Sequence, residues 1–127
     1  MLPYLALDRA FLVFHTALIL FNLLGWAWKR TRTANLVTLL ATAFSWFVLG
    51  LWNGIGYCPC TEWHWQIRQH LGDRDLPDSY LVFLLYTLTG KSVPQAPVDI
   101  VASVAFFAAF AVSLVLNIRD RRHRAVR

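Results

Sequence analysis

The sequence is short of charge and of cysteine, and these two shortages exclude several classes of protein. Charged residues make up only 15% of the 127 residues, whereas an ordinary soluble domain carries about 25%. Two cysteines cannot build the disulfide framework of a small secreted module. The chain also has no Ser-His-Asp constellation and no glycine-rich phosphate loop. Together with the long apolar blocks described next, these shortages exclude a soluble enzyme, a disordered tail and a disulfide-framed secreted module.

Hydrophobic residues account for 57% of the chain and are gathered into blocks long enough to cross a lipid bilayer. Residues 10–28, 35–57 and 98–118 are predicted to be spanning helices. At 1.5 Å per residue the first block measures about 28 Å, close to the roughly 30 Å hydrocarbon core of a bilayer. The composition thus predicts an all-α integral membrane helical bundle that forms a single domain over residues 1–127.

A fourth apolar stretch, residues 79–89, is too short to be read in the same way. Its 11 residues make a helix of only about 16 Å. Runs of this length are typically re-entrant, interfacial or buried in protein. We therefore predict a short embedded helix, and a version with four crossings remains the alternative.

The distribution of Lys and Arg near the ends of the spans predicts the orientation. Three crossings and four crossings both leave eight basic residues in the cytoplasm against four outside. Three crossings are favoured because four require residues 79–89 to span. The prediction is a multi-pass protein of the bacterial inner membrane with its N-terminus outside and its C-terminus in the cytoplasm.

The basic tail, residues 119–127, follows the last span directly. A cluster of this kind is attracted to anionic lipid head groups by about 1 kcal/mol per residue. We expect the tail to face lipid rather than nucleic acid, since no nucleic-acid-binding module accompanies the net charge of +5. The residues predicted to contact head groups are Arg119, Arg121, Arg122 and Arg124.

A second, more polar helix is predicted over residues 62–71, after the second span. Thr61 is a suitable N-cap and Gly72 a suitable residue just beyond the C-terminus. Trp63, Ile67 and Leu71 recur every four residues, so one side of the helix is apolar. This pattern is typical of an amphipathic helix lying along the outer membrane surface.

The turn before this helix contains both cysteines, Cys58 and Cys60, with His64 four residues beyond. Together with His15 from the first span, these side chains are candidate ligands for copper(I) or zinc. Alternatively, the two thiols form a strained, easily reduced disulfide in an oxidising compartment. A third interpretation is that the cysteines are simply small, half-buried residues at a tight corner.

Polar residues inside the first two spans favour contacts between helices. His15 and Asn22 are seven residues apart and share a face of the first helix. We predict that they bond to Thr42 or Ser45 of the second helix, because polar side chains within a bilayer usually pair in this way. The alternative for His15 is to ligate haem iron or to bind a quinone, since ionisable groups inside a bilayer are often functional.

The sequence has His15 in its first span, Gly25-Trp26 at the end of that span, Trp46 midway along the second span, the turn Cys58-Pro59-Cys60-Thr61, and later the stretch 79–86 and Asn117 before the basic tail. In these features the chain resembles an uncharacterised family of small bacterial membrane proteins, a domain of unknown function. The resemblance covers nearly the whole sequence, and its most specific part is the turn Cys58-Pro59-Cys60-Thr61, which is Cys-Pro-Leu-Thr in the family. Cys60 is a departure from that pattern, so the resemblance does not imply a role for two thiols. It implies no known activity.

The function predicted from the sequence is that of a structural or accessory partner in a membrane complex, without catalytic activity or a cofactor. Its partner is another membrane protein or a second copy of the chain. The alternative is a redox, haem or metal-handling protein centred on Cys58, Cys60, His64 and His15.

Overall fold

The computed structural model describes residues 2–126, without the side chain of Val126, and these residues contain helices but no strand. The all-α fold predicted from the sequence is therefore confirmed. The helices are α1 (Leu2–Leu24), α2 (Arg32–Phe44), α3 (Gly50–Asn53), α4 (Pro59–His70), α5 (Tyr80–Thr89) and α6 (Gln95–Val126), with a π-helical turn at Ser45–Leu49 between α2 and α3.

Three segments are long and apolar enough to cross a membrane, as the sequence predicts: Leu2–Ala27, Lys29–Asn53 and Gln95–Ala125. The segment α5 is apolar but has only ten residues. It ends at Gly90, whose φ of +73° is readily adopted only by glycine. The short helix predicted over residues 79–89 thus forms.

The first helix begins at Leu2, eight residues before the predicted start of the span. Asp8 interrupts the apolar pattern in the sequence, but its side chain is nearly buried and bonds to α4. A paired carboxylate does not prevent the helix from continuing through it.

The C-terminal end of α1 depends on Asn35, the first buried residue of α2. The Asn35 Nδ2 atom donates hydrogen bonds to the carbonyl oxygens of Phe21, at 2.6 Å, and Asn22, at 3.3 Å. Carbonyls in the last turn of a helix have no partner within the helix, so this side chain caps them. Gly25 makes room for it, because a Cβ at Gly25 would lie 2.8 Å from Asn35 Nδ2.

The second apolar block ends earlier than predicted, at Asn53 rather than residue 57. Gly54 has a φ of +101°, which ends the helix. The chain then turns back toward the helix. The Gly56 N–H donates a hydrogen bond to the Trp46 carbonyl oxygen at 3.1 Å. The Ser45 hydroxyl donates one to the Tyr57 carbonyl oxygen at 2.7 Å. Ser45 therefore bonds to this turn.

The helix α4 begins at Pro59, with Cys58 as its N-cap, so the prediction that Thr61 caps a helix starting at Glu62 is wrong. Proline is well suited to the first helical position, because its fixed φ is helical and its missing N–H needs no partner there. Pro59 thus lies inside the helix and not in a turn that precedes it. The predicted C-terminal boundary is close, since Gly72 has a φ of +103°.

Contacts divide the chain into two compact units: unit 1 comprises Met1–His15 and Cys58–Ser103, and unit 2 comprises Thr16–Tyr57 and Val104–Arg127. In unit 2 the side of α6 that packs inward carries Phe106, Ala109, Ser113 and Asn117, which are all buried. Phe106 packs against Trp46, with ring centroids 4.6 Å apart. The helix continues beyond the predicted span, so residues 119–126 are helical.

Candidate functional site

A cluster of ionisable side chains lies inside unit 1, where α1 meets α4. The Asp8 carboxylate accepts a hydrogen bond from His64 Nε2 at 2.7 Å and from Arg68 Nη1 at 3.3 Å. Asp8 is 7% exposed and His64 is 0% exposed. His64 and Arg68 are four residues apart on α4 and thus share a face. A buried carboxylate is stable only when it is paired, and here it has two partners.

The guanidinium group of Arg68 joins two acidic side chains. In addition to Asp8, it forms a short ion pair with Asp73, in the loop after α4. It also lies over the Phe83 ring, 5.2 Å from the ring centroid, within the range of a cation–π contact. Arg68 therefore connects α1, α4, α5 and the loop after α4.

Aromatic rings surround His64 and separate it from solvent. The Phe11 ring stacks on the imidazole, and the Phe83 ring meets it edge-on, both with centroids 5.7 Å away. Trp65 contacts both His64 and Phe83, and its indole N–H donates to the Pro77 carbonyl oxygen at 2.8 Å. This packing holds the loop that precedes α5 against α4.

The second feature of unit 1 is a pair formed by a thiol and an imidazole. Cys58 Sγ lies 3.8 Å from His15 Nε2, within hydrogen-bonding distance for sulfur. The Tyr80 ring stacks on His15 with centroids 3.9 Å apart, and its hydroxyl donates to the Leu12 carbonyl oxygen at 3.1 Å. The imidazole is 6% exposed, so its orientation toward the thiol is fixed by packing.

Cys60 follows in the first turn of α4, and both cysteines are half-buried free thiols. Burial raises the pKa of the Cys60 thiol, and the neighbouring Cys58 raises that pKa further through its charge and through a hydrogen bond. A negative charge on one sulfur opposes the ionisation of the other. Both effects disfavour the thiolate form of Cys60.

The structure brings together some of the predicted metal or redox residues and separates others. His15 and Cys58 are in contact, and Cys60 is next to Cys58. His64 instead bonds to Asp8. Within residues 2–126, no three His, Cys, Asp or Glu side chains are arranged to hold a metal ion.

Of the polar contacts predicted between helices, the structure contains the one between Asn22 and Thr42. The Asn22 Nδ2 atom donates to Thr42 Oγ1 at 3.0 Å in unit 2. Ser45 bonds instead to the Tyr57 carbonyl oxygen. His15 faces Cys58 and Tyr80 in unit 1.

The basic residues at the C-terminal end of α6 lie beside the connection between α1 and α2. Arg32 Nη1 forms an ion pair with Asp120 at 3.1 Å, and Asn117 Nδ2 donates to the Arg32 carbonyl oxygen at 3.1 Å. A depression nearby is lined by Lys29, Arg119, Asp120, His123 and Arg124. The predicted lipid-facing residues Arg119, Arg121, Arg122 and Arg124 are all exposed.

The site also contains three residues that are not predicted from the sequence: Asp8, Arg68 and Tyr80. A signal was available for two of them. Asp8 is seven residues before His15 and Arg68 is four residues after His64, so each lies on the same helix face as a histidine. No comparable pattern marks Tyr80, whose position at the start of α5 depends on the tertiary fold.

Comparisons with curated proteins and with solved structures found no match. Residues 5–118 match the family described as "Protein of Unknown function (DUF2784)". The match extends from the first turns of α1 almost to the end of the apolar part of α6, and it includes the whole site. As the resemblance implied, the family carries no assigned activity, and the chain belongs to this family of unknown function.

Proposed function

We propose that this protein is a multi-pass protein of the bacterial inner membrane, with three crossings, an outside N-terminus and a cytoplasmic C-terminus. Three long apolar helices support the crossings. The short helix α5 has ten residues and measures about 15 Å, half of the roughly 30 Å hydrocarbon core. It is therefore assigned as an embedded helix.

The observation that carries this topology is the ion pair between Arg32 and Asp120. With three crossings, the α1–α2 connection and the C-terminal end of α6 are on the same side of the membrane. With four crossings they are on opposite sides, and the ion pair cannot form. With three crossings, the basic residues of both segments lie on one side of the membrane. The side with the excess of Lys and Arg is usually the cytoplasmic one, so we assign this side to the cytoplasm. These residues are Lys29, Arg30, Arg32, Arg119, Arg121, Arg122 and Arg124.

The same topology makes α4 an interfacial helix on the outer side. Trp63 is 55% exposed, and Ile67 and Leu71 are partly exposed, so the apolar side is free to enter the head-group region. The neighbouring face, with His64 and Arg68, bonds to Asp8. Such a division of faces is typical of helices that lie on a bilayer.

We further propose an accessory role in a membrane complex, with anionic lipids around the basic end of α6. The buried charges of unit 1 pair with one another. This pairing joins α1 to α4, which supports a structural role for the cluster. The outward faces of α1 and α6 are apolar, and they are available to lipid, to another membrane protein or to a second copy of the chain.

Single cysteines introduced into a Cys58→Ser/Cys60→Ser background test the topology. A membrane-impermeant maleimide should label Asp75→Cys in intact spheroplasts, and it should label Arg30→Cys and Arg124→Cys only after permeabilisation. Labelling of positions 30 and 124 from opposite sides would overturn the three-crossing topology. Labelling of position 75 only after permeabilisation would overturn the orientation.

Crosslinking in native membranes, followed by purification in mild detergent, tests the accessory role. A stoichiometric partner or a homo-oligomer is expected. A monomer that crosslinks to nothing would overturn this role.

The second candidate function is thiol redox chemistry, and the contact between Cys58 and His15 favours it. His15 Nε2 faces a sulfur atom and Tyr80 covers one face of the ring, which favours a thiol partner over haem iron or a quinone. Copper or zinc receives less support, since the described residues offer no group of three ligands.

A further inference from the structure

We propose that Cys58 and Cys60 are a redox-active dithiol that exchanges disulfides with thiols of other proteins on the outer side of the membrane, with Cys58 as the attacking thiol. The outer location rests on the topology proposed above. The dithiol itself rests on the geometry of unit 1, in which the two sulfurs differ in their surroundings. The substrate class is a protein disulfide or a protein dithiol.

Cys58 is the thiol with a base beside it. His15 Nε2 is 3.8 Å from the sulfur, and the stacked Tyr80 ring holds the imidazole in that orientation. A thiol attacks a disulfide as the thiolate, so a positioned imidazole that accepts its proton makes it the nucleophile. Cys58 is half-buried and occupies the N-cap of α4, at the edge of the helix rather than inside the packed cluster.

Cys60 has the properties of the second, resolving thiol. Burial and the adjacent Cys58 raise its pKa, which disfavours Cys60 as the thiolate that attacks first. Once Cys58 is in a mixed disulfide, its sulfur carries no negative charge. Its charge then no longer raises the pKa of Cys60. The order of reaction therefore follows from the surroundings of the two sulfurs.

Each exchange step balances in atoms and electrons. His15 accepts the Cys58 proton, and the Cys58 sulfur attacks one sulfur of the substrate disulfide. The substrate S–S bond breaks, a mixed disulfide forms, and the first substrate thiolate takes up the proton from His15. Cys60 then loses its proton to water and attacks the Cys58 sulfur, which breaks the mixed disulfide and releases the second substrate thiolate.

The dithiol has then lost two electrons to the substrate and become a Cys58–Cys60 disulfide. A bond that closes so short a loop is strained, and strained disulfides are the readily reduced ones. The reverse sequence oxidises a substrate dithiol.

The test uses the purified full-length protein in detergent, with oxidised and reduced glutathione as the probe. Free thiols are counted by alkylation and the products are identified by mass. In wild-type protein both thiols should disappear together as an internal disulfide. Cys60→Ser should instead trap one glutathione on Cys58, and Cys58→Ser should lose the reaction. Two thiols that stay free at every glutathione ratio, or a glutathione trapped on Cys60 alone, would overturn the proposal.

The role of His15 is tested by the rate at which glutathione disulfide reacts with Cys58 in the Cys60→Ser protein. His15→Gln should slow this reaction about 100-fold, the low end of what a positioned base contributes. His70→Gln is the matched control, because His70 is exposed and stacks on Tyr4. Equal rates in the two histidine variants would overturn the assignment of His15. The cysteine variants test the dithiol without altering a fully buried residue.

An impermeant maleimide separates this proposal from the topology. If it labels Cys58 in intact spheroplasts, the outer location is supported. If it labels only after permeabilisation, the orientation and the extracytoplasmic substrate are overturned, whereas the glutathione experiment still decides the dithiol.

Discussion

Replacing Asp8 by Asn removes the one charge that both His64 and Arg68 bind. Asn is almost the same size as Asp, so the change tests the charge rather than the packing. The amide oxygen still accepts a bond from His64, but it no longer offers Arg68 a carboxylate. Because Asp8 is nearly buried, water does not replace the lost interaction.

The expected loss follows from the contacts. A hydrogen bond to a charged group contributes about 1.5–3 kcal/mol, and breaking a buried ion pair outright costs about 3–5 kcal/mol. Arg68 keeps its ion pair with Asp73 and is therefore not left alone. We expect Asp8→Asn to lower the free energy of unfolding by about 2–4 kcal/mol.

Reversible unfolding in mixed detergent micelles, followed by tryptophan fluorescence, measures this loss. The matched control is Asp99→Asn, because Asp99 is exposed and its carboxylate accepts a hydrogen bond from the exposed Gln95 side chain. The control should change the free energy of unfolding by less than about 0.5 kcal/mol. Equal stabilities for Asp8→Asn and wild type would refute the anchoring role of the cluster.

Three further predictions concern single contacts. The raised pKa of Cys60 means that less of it is thiolate at a given pH. The rate at which iodoacetamide alkylates Cys60 should therefore increase at a higher pH than the rate for an unperturbed cysteine in a peptide. Cys58→Ser should move that pH profile downward, and an unchanged profile would contradict the stated cause. Gly25→Ala should lower the free energy of unfolding by about 1–3 kcal/mol, because the new Cβ would overlap the buried amide of Asn35. The same unfolding assay measures this loss, and a variant as stable as wild type would contradict it. A double-mutant cycle with Asn22→Leu and Thr42→Val should give a coupling energy of about 0.6 kcal/mol, and zero coupling would show that their bond contributes nothing.

The helical fold and the three long apolar segments were predictable because composition and block length determine them. Residues 98–118 are predominantly apolar over a length that matches a bilayer, and this property does not depend on tertiary contacts. The end of the second helix was less predictable, since the sequence does not reveal that Gly54 adopts a positive φ. The start of α4 was missed because Thr61 and Pro59 offer competing signals, and proline at the first position prevails.

The site could be predicted only in part, because its contacts join distant segments. Cys58, Cys60 and His15 stand out as residue types in an apolar chain. The pairing of Asp8 with His64 joins residues 56 positions apart, and no local pattern specifies it. The sequence predicts His64 as a candidate ligand, whereas in the structure it bonds to Asp8.

The length of α6 has a consequence for what the protein presents beyond the bilayer. Its 32 residues form a rod of about 48 Å, whereas the hydrocarbon core is roughly 30 Å thick. On the proposed topology, the arginines are thus carried on a rigid stalk that emerges from the membrane. Successive helical residues point 100° apart, so their charges encircle the stalk instead of forming a stripe. On that proposal, such a collar would engage phosphate groups on the sides of α6 that do not face Arg32, and it would resist being drawn into the lipid interior, which would set how deeply the helix sits.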